Sequence, residues 1–330
     1  MKSIIFVSNN KLNIRFFIFL LIFTILAYFH IVKFNLNFKI TSKNASKLHK
    51  NDVKCNSNRL KYKQECLDLF QELKNPDPSA FYRPPLAKPP DSLMNEFTQN
   101  GEMPIKKYWY FDDVYSDANQ KVANSKQIIP KYLVDSFRLK DNYRAENQYK
   151  DRHNHLIMPK YSNYIKNKSM IVIGTIYPWL EAIALDAGAS RVVTLDYTRK
   201  KYEQKDMEWL HVIDYLDYSI KNDIIEEYDN AATFSSLEHS GLGRYGDPLD
   251  PNGDIKAVKQ VHCMIKPDGI FFLGLITSND NSSYIEFNAH RVYGTKRLNK
   301  LFVGWDLIEQ TDRSNQHSLF VLKKKNIDEC

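Results

Sequence analysis

The pattern of apolar and polar positions predicts secondary structure most clearly between residues 231 and 276. Residues 231–235 form a short, mostly apolar run of the kind that makes a buried strand. Apolar side chains then recur at the spacing of one helix face, at Ile255, Val258, Val261 and Ile265. The turn sequence at residues 266–269 ends this helix before an apolar strand at residues 270–276. This order predicts part of a βαβ unit.

A polar loop separates the first of these strands from the helix. The strand ends in Ser235, and Glu238 and His239 follow at its carboxyl end, where open α/β sheets usually carry their chemistry. Three glycines allow tight turns around Arg244 and Asp247, and two prolines delay the helix: Gly241, Gly243 and Gly246, then Pro248 and Pro251. We therefore expect a loop of defined shape.

A second unit of the same kind precedes it. Residues 170–175 read as a buried strand, Pro178 suits the first turn of a helix that Gly188 ends, and residues 191–197 read as the next strand. Asp196 near the end of that strand stands where nucleotide-binding units place a carboxylate on the ribose hydroxyls.

Only one glycine, Gly174, lies in the turn after the first of these two strands. A loop that grips a pyrophosphate typically has three, so a dinucleotide is disfavoured. A nucleoside without phosphates, such as S-adenosylmethionine, places less demand on this turn. The presence of one glycine where a pyrophosphate loop has three therefore favours S-adenosylmethionine as the cofactor.

The remaining pattern completes an α/β sheet. Residues 208–218 read as a third strand and its exit, where Asp214 or Asp217 meets an adenine amino group or is an ordinary surface acid. A loop is expected at residues 288–294 and a short helix at 298–302, and the strands at 305–309 and 318–322 form an antiparallel hairpin. The predicted fold is a Rossmann-like, mostly parallel sheet of seven strands, with this hairpin at one edge and helices on both faces.

The amino-terminal part has a different character. Residues 16–32 are almost entirely apolar, which just reaches the length of a membrane-spanning helix, and no small-residue cleavage site follows directly. We expect an uncleaved signal anchor here, with residues 1–15 as a short cytoplasmic tail. The lysines after residue 32 oppose a lumenal body by the positive-inside count. Three glycosylation sequons, at Asn44, Asn167 and Asn281, favour the type II, lumen-facing orientation in the endoplasmic reticulum or Golgi.

Between the anchor and the sheet, proline content divides the chain. Seven of the 13 prolines fall within residues 76–104, so residues 33–104 are expected to form a stem and a semi-rigid linker. Residues 105–168 are an aromatic, partly helical extension, and residues 169–325 form the main domain before a tail at 326–330. Asp112 and Asp113 follow an apolar run, but their spacing differs from a metal-binding Asp-x-Asp, and a solvated turn is the simpler interpretation.

Composition narrows the classes of function. With 43% hydrophobic residues the chain is globular, and a net charge of +7 with interspersed acids gives little support to nucleic-acid binding. The four cysteines, Cys55, Cys66, Cys263 and Cys330, have no metal-ligand spacing, so no metal is expected. Cys55 and Cys66 are close enough in sequence to form a disulfide if the stem is lumenal, and Cys263 reads as a small buried side chain.

Three blocks carry a family likeness: VIGTIYPWLEAIALDAGASRVVTLDY, FSSLEHSGLGRYGDPLDPNGDIKAVKQVHCMIKPDG and FNAHRVYG. Together they resemble the nematode-expanded domain of unknown function 268, over roughly residues 132–324. The resemblance implies a divergent class I S-adenosylmethionine-dependent methyltransferase fold. It places Gly174 at the cofactor turn, Asp196 on the ribose, Asp214 near the adenine, and Ser235 to His239 at the reaction mouth.

Three functions remain in competition. The first is a membrane-anchored methyltransferase that acts on a glycan or other secretory-pathway acceptor, with His239 as base, Glu238 orienting it, and Arg244 and Asp247 clamping the substrate. In an alternative, Glu238, Arg244 and Asp247 form an ion-pair network that only fixes the loop. The second function is a catalytically inactive binding or scaffold module. The third, a glycosyltransferase, rests on the anchor, the stem and the pair Asp112 and Asp113. The sequence leaves the oligomeric state open.

Overall fold

A computed structural model describes residues 57–113, 127–138 and 153–326. The chain divides into two compact units, one of Met1–Arg59 with Asp328–Cys330 and the other of Leu60–Ile327. The elements below belong to the second unit, except that the first helix begins at residue 57. The predicted membrane anchor at residues 16–32, the sequon at Asn44 and Cys55 lie outside the described residues.

Helices and strands alternate along most of the second unit. The α-helices within the described residues are α1 (57–74), α2 (Asp91–Thr98), α3 (Lys131–Arg138), α4 (His153–Ile157), α5 (Ser162–Ile165), α6 (Trp179–Asp186), α7 (Val212–Asn222), α8 (Gly253–Met264) and α9 (Thr295–Leu301). The strands there are β1 (Ile105–Tyr108), β2 (Gln127–Ile129), β3 (Ser169–Ile173), β4 (Arg191–Asp196), β5 (Lys200–Tyr202), β6 (Met207–His211), β7 (Asn230–Phe234), β8 (Ile270–Ile276), β9 (Tyr284–Phe287), β10 (His290–Val292), β11 (Trp305–Gln310) and β12 (His317–Lys324).

Seven strands form the central sheet, in the order β11-β12-β8-β7-β3-β4-β6. The five from β8 to β6 are parallel to their neighbours. Strand β12 runs antiparallel to β8, and β11 pairs antiparallel with β12 at the edge. The predicted Rossmann-like sheet with an antiparallel carboxyl-terminal hairpin at one edge is confirmed.

The central strands are apolar along their whole length because helices cover both faces of the sheet. Every residue of β7 and β8 is buried. Side chains of alternate residues enter two separate cores: Phe271 packs with Tyr215 of α7, whereas Phe272 packs with Leu180 of α6. This alternation places α7 and α8 on one face and α6 on the other, so helices cover both faces, as the sequence predicts.

Two strand assignments from the sequence differ from the structure. The third strand of the sheet ends at His211, and α7 begins at Val212, so Asp214 and Asp217 lie on a helix. The buried positions Val212, Tyr215, Leu216 and Ser219 follow helical spacing, which the apolar strand before them obscures. The segment expected to be a loop at residues 288–294 contains β10, which joins β9 and β1 in a second, three-stranded sheet.

The proline-rich segment packs against the body, although the sequence predicts a stem and linker as far as residue 104. A third apolar core holds it there, with Phe97 1% exposed and Met103 1% exposed. These two side chains cluster with Leu242 and Phe287. Prolines limit the backbone, but they do not prevent the apolar side chains between them from being buried.

A disulfide joins Cys66 of α1 to Cys263 of α8, with their Cα atoms 5.6 Å apart. The predicted bond between Cys55 and Cys66 is therefore wrong, whereas Cys263 is buried as expected but forms a disulfide. The helices α1 and α8 enter the same core, which brings together two cysteines that are 197 residues apart in sequence. Proximity in space, and not in sequence, decides the pairing.

Within the described parts of the chain, no helix combines the length and the apolar character that crossing a membrane requires.

Breaking the disulfide should destabilise the domain, because the bond closes a long loop in the unfolded chain. We expect Cys66→Ser, Cys263→Ser and the double variant to lose the same amount of free energy of unfolding, about 2 to 4 kcal/mol. Urea denaturation monitored by fluorescence gives these values. Unequal losses, or alkylation of both thiols in the unreduced native protein, would show that the bond is absent.

Candidate functional site

The strand order reverses at β3, which makes this point of the sheet the expected binding crevice. From β3 the chain proceeds to β4 and β6 on one side, and then to β7 and β8 on the other. Ligands of open α/β sheets bind outside the carboxyl ends of the strands at such a point. The structure brings three of the predicted residues to this edge: Gly174 after β3, Asp196 at the end of β4 and Ser235 after β7.

The loops after β3 and β7 touch at Gly174. Its φ of +63° lies in the left-handed region, and a Cβ atom here would stand 2.0 Å from the Ser236 Oγ. Its N–H donates to the Leu195 carbonyl at 3.1 Å. A glycine is required here by the close approach of the Ser236 side chain, whatever the turn binds.

Asp196 has two partners within its own turn. Its Oδ1 accepts the N–H of Thr198 at 2.9 Å, and its Oδ2 pairs with the Lys200 Nζ at 2.7 Å. The Lys200 side chain is only 2% exposed and that of Asp196 is 16% exposed. The carboxylate therefore brackets the turn and neutralises a buried lysine, while each oxygen keeps a further lone pair toward the sheet edge. Beside it, the exposed Tyr197 ring meets His211 edge-on at 5.6 Å.

Asp214 follows the carboxyl end of β6, the strand that pairs with β4. It is exposed, in the first turn of α7. Its expected contact with an adenine stays a prediction.

Ser235 and Glu238 meet directly. Ser235 has a φ of +51°, which is unusual for a residue with a side chain, and its Oγ bonds the Glu238 Oε1 at 2.8 Å. Glu238 is fully buried, and this burial raises the pKa of its carboxyl to about 7. Its other oxygen, Oε2, is buried and has no hydrogen-bond partner among the described residues.

His239 is fixed in one tautomer. Its Nδ1 lies 2.5 Å from the Ala289 carbonyl, which can only accept, so Nδ1 carries the hydrogen and Nε2 carries the lone pair. Loss of water contact lowers the pKa of His239 to about 4, and the positive charge of Arg244 adds to the effect. The imidazole is therefore neutral at pH 7. The Tyr245 ring packs edge-on against it at 5.5 Å.

Arg244 and Asp247 do not pair with each other. The Arg244 Nε donates to the Asp113 Oδ2 at 2.7 Å, and the guanidinium stacks over the Phe111 ring at 4.4 Å. Asp113, considered above as part of a metal site, thus links the segment after β1 to the loop after β7. Among the described residues, no group of three or more His, Cys, Asp and Glu side chains is placed to hold a metal ion.

Asp247 holds the loop by accepting backbone N–H groups. Its Oδ2 accepts from Gly241 at 2.7 Å, Leu242 at 3.1 Å and Gly243 at 3.2 Å, and its Oδ1 accepts from Tyr245 at 3.2 Å. Burial nevertheless raises its pKa. These contacts fix the loop, but without the ion pairs to Glu238 and Arg244 that the sequence analysis considers.

A buried charge cluster that the sequence reading missed supports the same loop. Asp254 at the start of α8 is fully buried between Arg291 and Arg297. The Arg291 guanidinium also donates to the carbonyls of Ser240 at 2.5 Å and Asp250 at 3.0 Å. No periodicity marks these arginines, and only the quoted block FNAHRVYG, which contains Arg291, drew attention to this part of the chain.

His317 is a second residue that the sequence reading missed. It begins β12, and its Nε2 lies 3.0 Å from the Ser235 Oγ. Its ring stacks on Phe234 with centroids 4.9 Å apart. A single histidine at the start of a strand carries no sequence signal that would connect it with a serine 82 residues earlier.

Residues 167–329 match the model of a protein family described as "Caenorhabditis protein of unknown function, DUF268". This part of the chain is therefore similar to that family. The match covers the switch point, the loop after β7, Arg291 and His317, whereas Phe111 and Asp113, which contact Arg244, lie before the matched residues. The resemblance inferred from the three sequence blocks is confirmed.

Solved structures with the same kind of fold are methyltransferases. The 1,6-didemethyltoxoflavin-N1-methyltransferase of Burkholderia thailandensis, solved with S-adenosylhomocysteine, is 13% identical, with 58% of this chain and 85% of that chain covered and a TM-score of 0.42. The N-methyltransferase NodS of Bradyrhizobium japonicum, also solved with S-adenosylhomocysteine, is 14% identical, with coverages of 59% and 98% and a TM-score of 0.39. No curated protein sequence matches this chain. At such low identities and TM-scores, these likenesses carry no argument about the site.

Behind the Asp196 turn lies a second buried acid, Glu181 of α6. Its Oε1 accepts from the Thr194 hydroxyl at 2.7 Å, and its Oε2 has no hydrogen-bond partner within the described residues. Burial raises the pKa of Glu181 to about 7, although the nearby Lys200 opposes the shift. The folded protein therefore keeps a proton that the unfolded chain loses near pH 4 to 5.

Glu181 should make stability fall as pH rises from about 4.5 to 7, since the folded state binds the extra proton in this window. Relative to Glu181→Gln, the wild type should lose roughly 3 kcal/mol of free energy of unfolding across it. Urea denaturation at pH 5 and pH 8 measures the difference, and any titration of Glu238 cancels because both proteins contain it.

Glu208→Gln is the matched control. The Arg191 guanidinium lowers the pKa of Glu208, so that residue is ionised in both states above pH 5 and its replacement should leave the pH dependence unchanged. Parallel curves for the wild type and Glu181→Gln would contradict the assignment.

Proposed function

We propose that this domain binds S-adenosylmethionine at the switch point of the sheet and transfers its methyl group to a polar acceptor. The observation that carries the proposal is the meeting of the Asp196 carboxylate, the Gly174 turn and the loop from Ser235 to His239 at one edge of a Rossmann-like sheet. A nucleoside and an acceptor would meet there.

The residues at this edge fit an adenosine better than a pyrophosphate. Pro178 precedes α6 and lacks an N–H, and the buried acid Glu181 occupies the first turn, so this helix start is poor at holding phosphate. Asp196 keeps acceptor lone pairs for ribose hydroxyls, and Tyr197 and His211 offer ring surfaces beside it. S-adenosylmethionine is a sulfonium nucleoside without phosphates and needs no phosphate-binding loop, so the residues present fit this cofactor.

When bound, S-adenosylmethionine supplies a methyl group whose carbon–sulfur bond breaks with the electron pair going to sulfur. Asp196 would hold the ribose, and Gly174 would let the turn approach the nucleoside. The neutral His239, with its lone pair on Nε2, would accept the hydrogen bond of the acceptor group. Arg244, fixed by Asp113 and Phe111, would bind polar parts of the acceptor.

The acceptor we propose is a glycan or another molecule of the secretory pathway, reached by a type II protein anchored through residues 16–32. The buried disulfide between Cys66 and Cys263 supports an oxidising compartment. Asn167 and Asn281, the sequon asparagines within the described residues, are both exposed. The apolar run itself, with no cleavage site behind it, supports retention in the membrane.

A second candidate is a binding module without catalytic activity. The ion pair between Asp196 and Lys200 favours it, because a carboxylate that only neutralises a buried lysine has no need of a ribose. The single glycine after β3 is explained by the Ser236 contact and needs no ligand either. Cofactor binding separates the two candidates.

Calorimetric titration with S-adenosylhomocysteine tests the cofactor site. Asp196→Ala should weaken binding roughly 10- to 100-fold, because a hydrogen bond to a charged group contributes about 1.5 to 3 kcal/mol. His239→Ala should leave the affinity nearly unchanged. If purified wild type with an unoccupied site binds neither S-adenosylhomocysteine nor S-adenosylmethionine, the binding-module candidate replaces the enzyme.

Two control variants separate ribose binding from folding. Lys200→Met removes the same ion pair but keeps the carboxylate, so it should retain binding even if its melting temperature falls. Asp206→Ala removes an exposed acid before β6, at the opposite end of the strands, and should change nothing. Equal loss of binding in Asp196→Ala and Lys200→Met would assign the effect to the ion pair, and not to the ribose.

The proposed orientation predicts N-glycans on the exposed sequons. Expression in a eukaryotic secretory host should give a protein whose gel mobility increases after glycosidase treatment, with one step lost in Asn167→Asp and one in Asn281→Asp. Aspartate suits these positions because both asparagines have φ near +60°, which aspartate tolerates. No mobility change, together with a body that protease digests in intact microsomes, would reverse the orientation.

A further inference from the structure

Three side chains from two segments of the chain meet at the carboxyl end of β7. The Ser235 Oγ lies 2.8 Å from the Glu238 Oε1 and 3.0 Å from the His317 Nε2. Glu238 and His317 are buried, and Ser235 is partly exposed. We call this row the Glu238–Ser235–His317 chain.

The two hydrogen bonds of this chain can form together only if the three side chains share one additional proton. The His317 Nδ1 lies 2.9 Å from the Asn315 carbonyl, which can only accept, so Nδ1 carries a hydrogen. The two links of the chain then need two hydrogens, but the serine hydroxyl supplies one. The second must lie on the Glu238 carboxyl or on the His317 Nε2, and a shift of both hydrogens through the hydroxyl exchanges these states.

Without this additional proton, one of the two hydrogen bonds cannot form. If Ser235 donates to the Glu238 carboxylate, lone pairs of the serine oxygen and the His317 Nε2 face each other across 3.0 Å. If it donates to His317 instead, the buried carboxylate loses the hydrogen bond of the Ser235 hydroxyl and keeps only those of the Ser236 and Glu238 backbone, which is costly for a buried charge. Uptake of one proton satisfies both links.

The surroundings of Glu238 also favour proton uptake. Among the described residues, none forms an ion pair with Glu238 through its carboxylate. Arg291 reaches only the main-chain carbonyl of Glu238, at 3.5 Å, and Asp254 and Tyr293 are the other ionisable groups that act on it. His290, whose own pKa is lowered by burial, is one ionisable side chain that acts on His317.

The backbone holds the serine in place. A φ of +51° at Ser235 is strained for a residue with a Cβ, and its N–H donates to the Gly274 carbonyl at 3.0 Å. The Phe234 ring stacks on His317 and fixes its plane. Because Ser235 is the partly exposed member, exchange of a proton with a bound molecule passes through its hydroxyl.

We propose that the Glu238–Ser235–His317 chain accepts the proton that the acceptor loses when it is methylated, which makes His317 a further residue of the reaction. The electron pair of the acceptor's O–H or N–H bond forms the bond to the methyl carbon. The chain begins this step without its additional proton, with Glu238 ionised and His317 neutral, and the acceptor's proton passes to the Ser235 oxygen as the serine hydrogen moves to His317 or Glu238. This inference rests on the proposed function. His239 orients the acceptor, whereas its lowered pKa makes it a poor final holder of the proton.

A test that needs no cofactor is the ¹⁵N NMR titration of the histidine rings in the full chain. In wild type, His317 and the ¹³C-labelled carboxyl of Glu238 should titrate together, as one coupled pair. In Ser235→Gly they should titrate independently, with the His317 midpoint shifted by about one pH unit or more. Glycine accepts the φ of this position without strain, so this variant should keep the fold.

Glu238→Gln provides the second arm, because glutamine can donate to Ser235 but cannot share a proton. His317 should then titrate alone. His262, held between Tyr62 and the Gly304 carbonyl on the other side of α8, is the control within the same spectra and should not move. A His317 titration that is identical in wild type, Ser235→Gly and Glu238→Gln overturns the proposal.

The catalytic role has its own readout. With radiolabelled S-adenosylmethionine and glycoconjugates of the host cell, His317→Gln should lower methyl transfer roughly 10²–10⁴-fold while affinity for S-adenosylhomocysteine stays unchanged. Unchanged transfer in His317→Gln overturns the role while the proposed function stands. No cofactor binding by wild type would instead overturn the proposed function, and the NMR result would still report on the shared proton.

Discussion

The buried carboxylate of Asp254 is the interaction on which the site depends. It begins α8 and lies between two arginines that are themselves buried, so three charges share one water-free space. Removing one member of such a group leaves the others unpaired at a cost of roughly 3 to 5 kcal/mol. Arg291 connects this charge cluster to the loop after β7, because its guanidinium also donates hydrogen bonds to carbonyls of that loop. The loop therefore keeps its shape without a bound ligand.

Two other acidic residues also stabilise this loop. Asp247 collects the backbone N–H groups of the loop, and Asp113 fixes Arg244 at its rim. Since these carboxylates are used for shape, the polar atoms of the loop that remain for a ligand are the Nε2 of His239 and the Oε2 of Glu238. The Ser235 hydroxyl instead joins Glu238 to His317.

The sheet could be predicted from the sequence because its central strands are buried on both faces and read as continuous apolar runs. The switch-point rule then placed Gly174, Asp196 and Ser235 at one edge from sequence alone. Local sequence patterns gave wrong predictions at two other places. The helix α7 follows β6 without a turn, so its first residues were assigned to the strand. The prolines of residues 76–104 predicted a linker, although Phe97 and Met103 of that segment are buried in a core. Residues such as His317 were missed because only the folded sheet brings them to the loop.

The charge around Asp196 bears on which ligand the edge can accept. Lys200 is buried and offsets Asp196, and Glu181 is close enough to act on the same lysine. While Glu181 keeps its proton, the three groups together are neutral, so a ribose can bind Asp196 without displacing an ion pair. Once Glu181 ionises, two carboxylates share one lysine and the edge becomes negative. Above the pKa of Glu181 this charge would favour a cationic sulfonium over a phosphate, whereas below it the group is neutral and exerts no such preference.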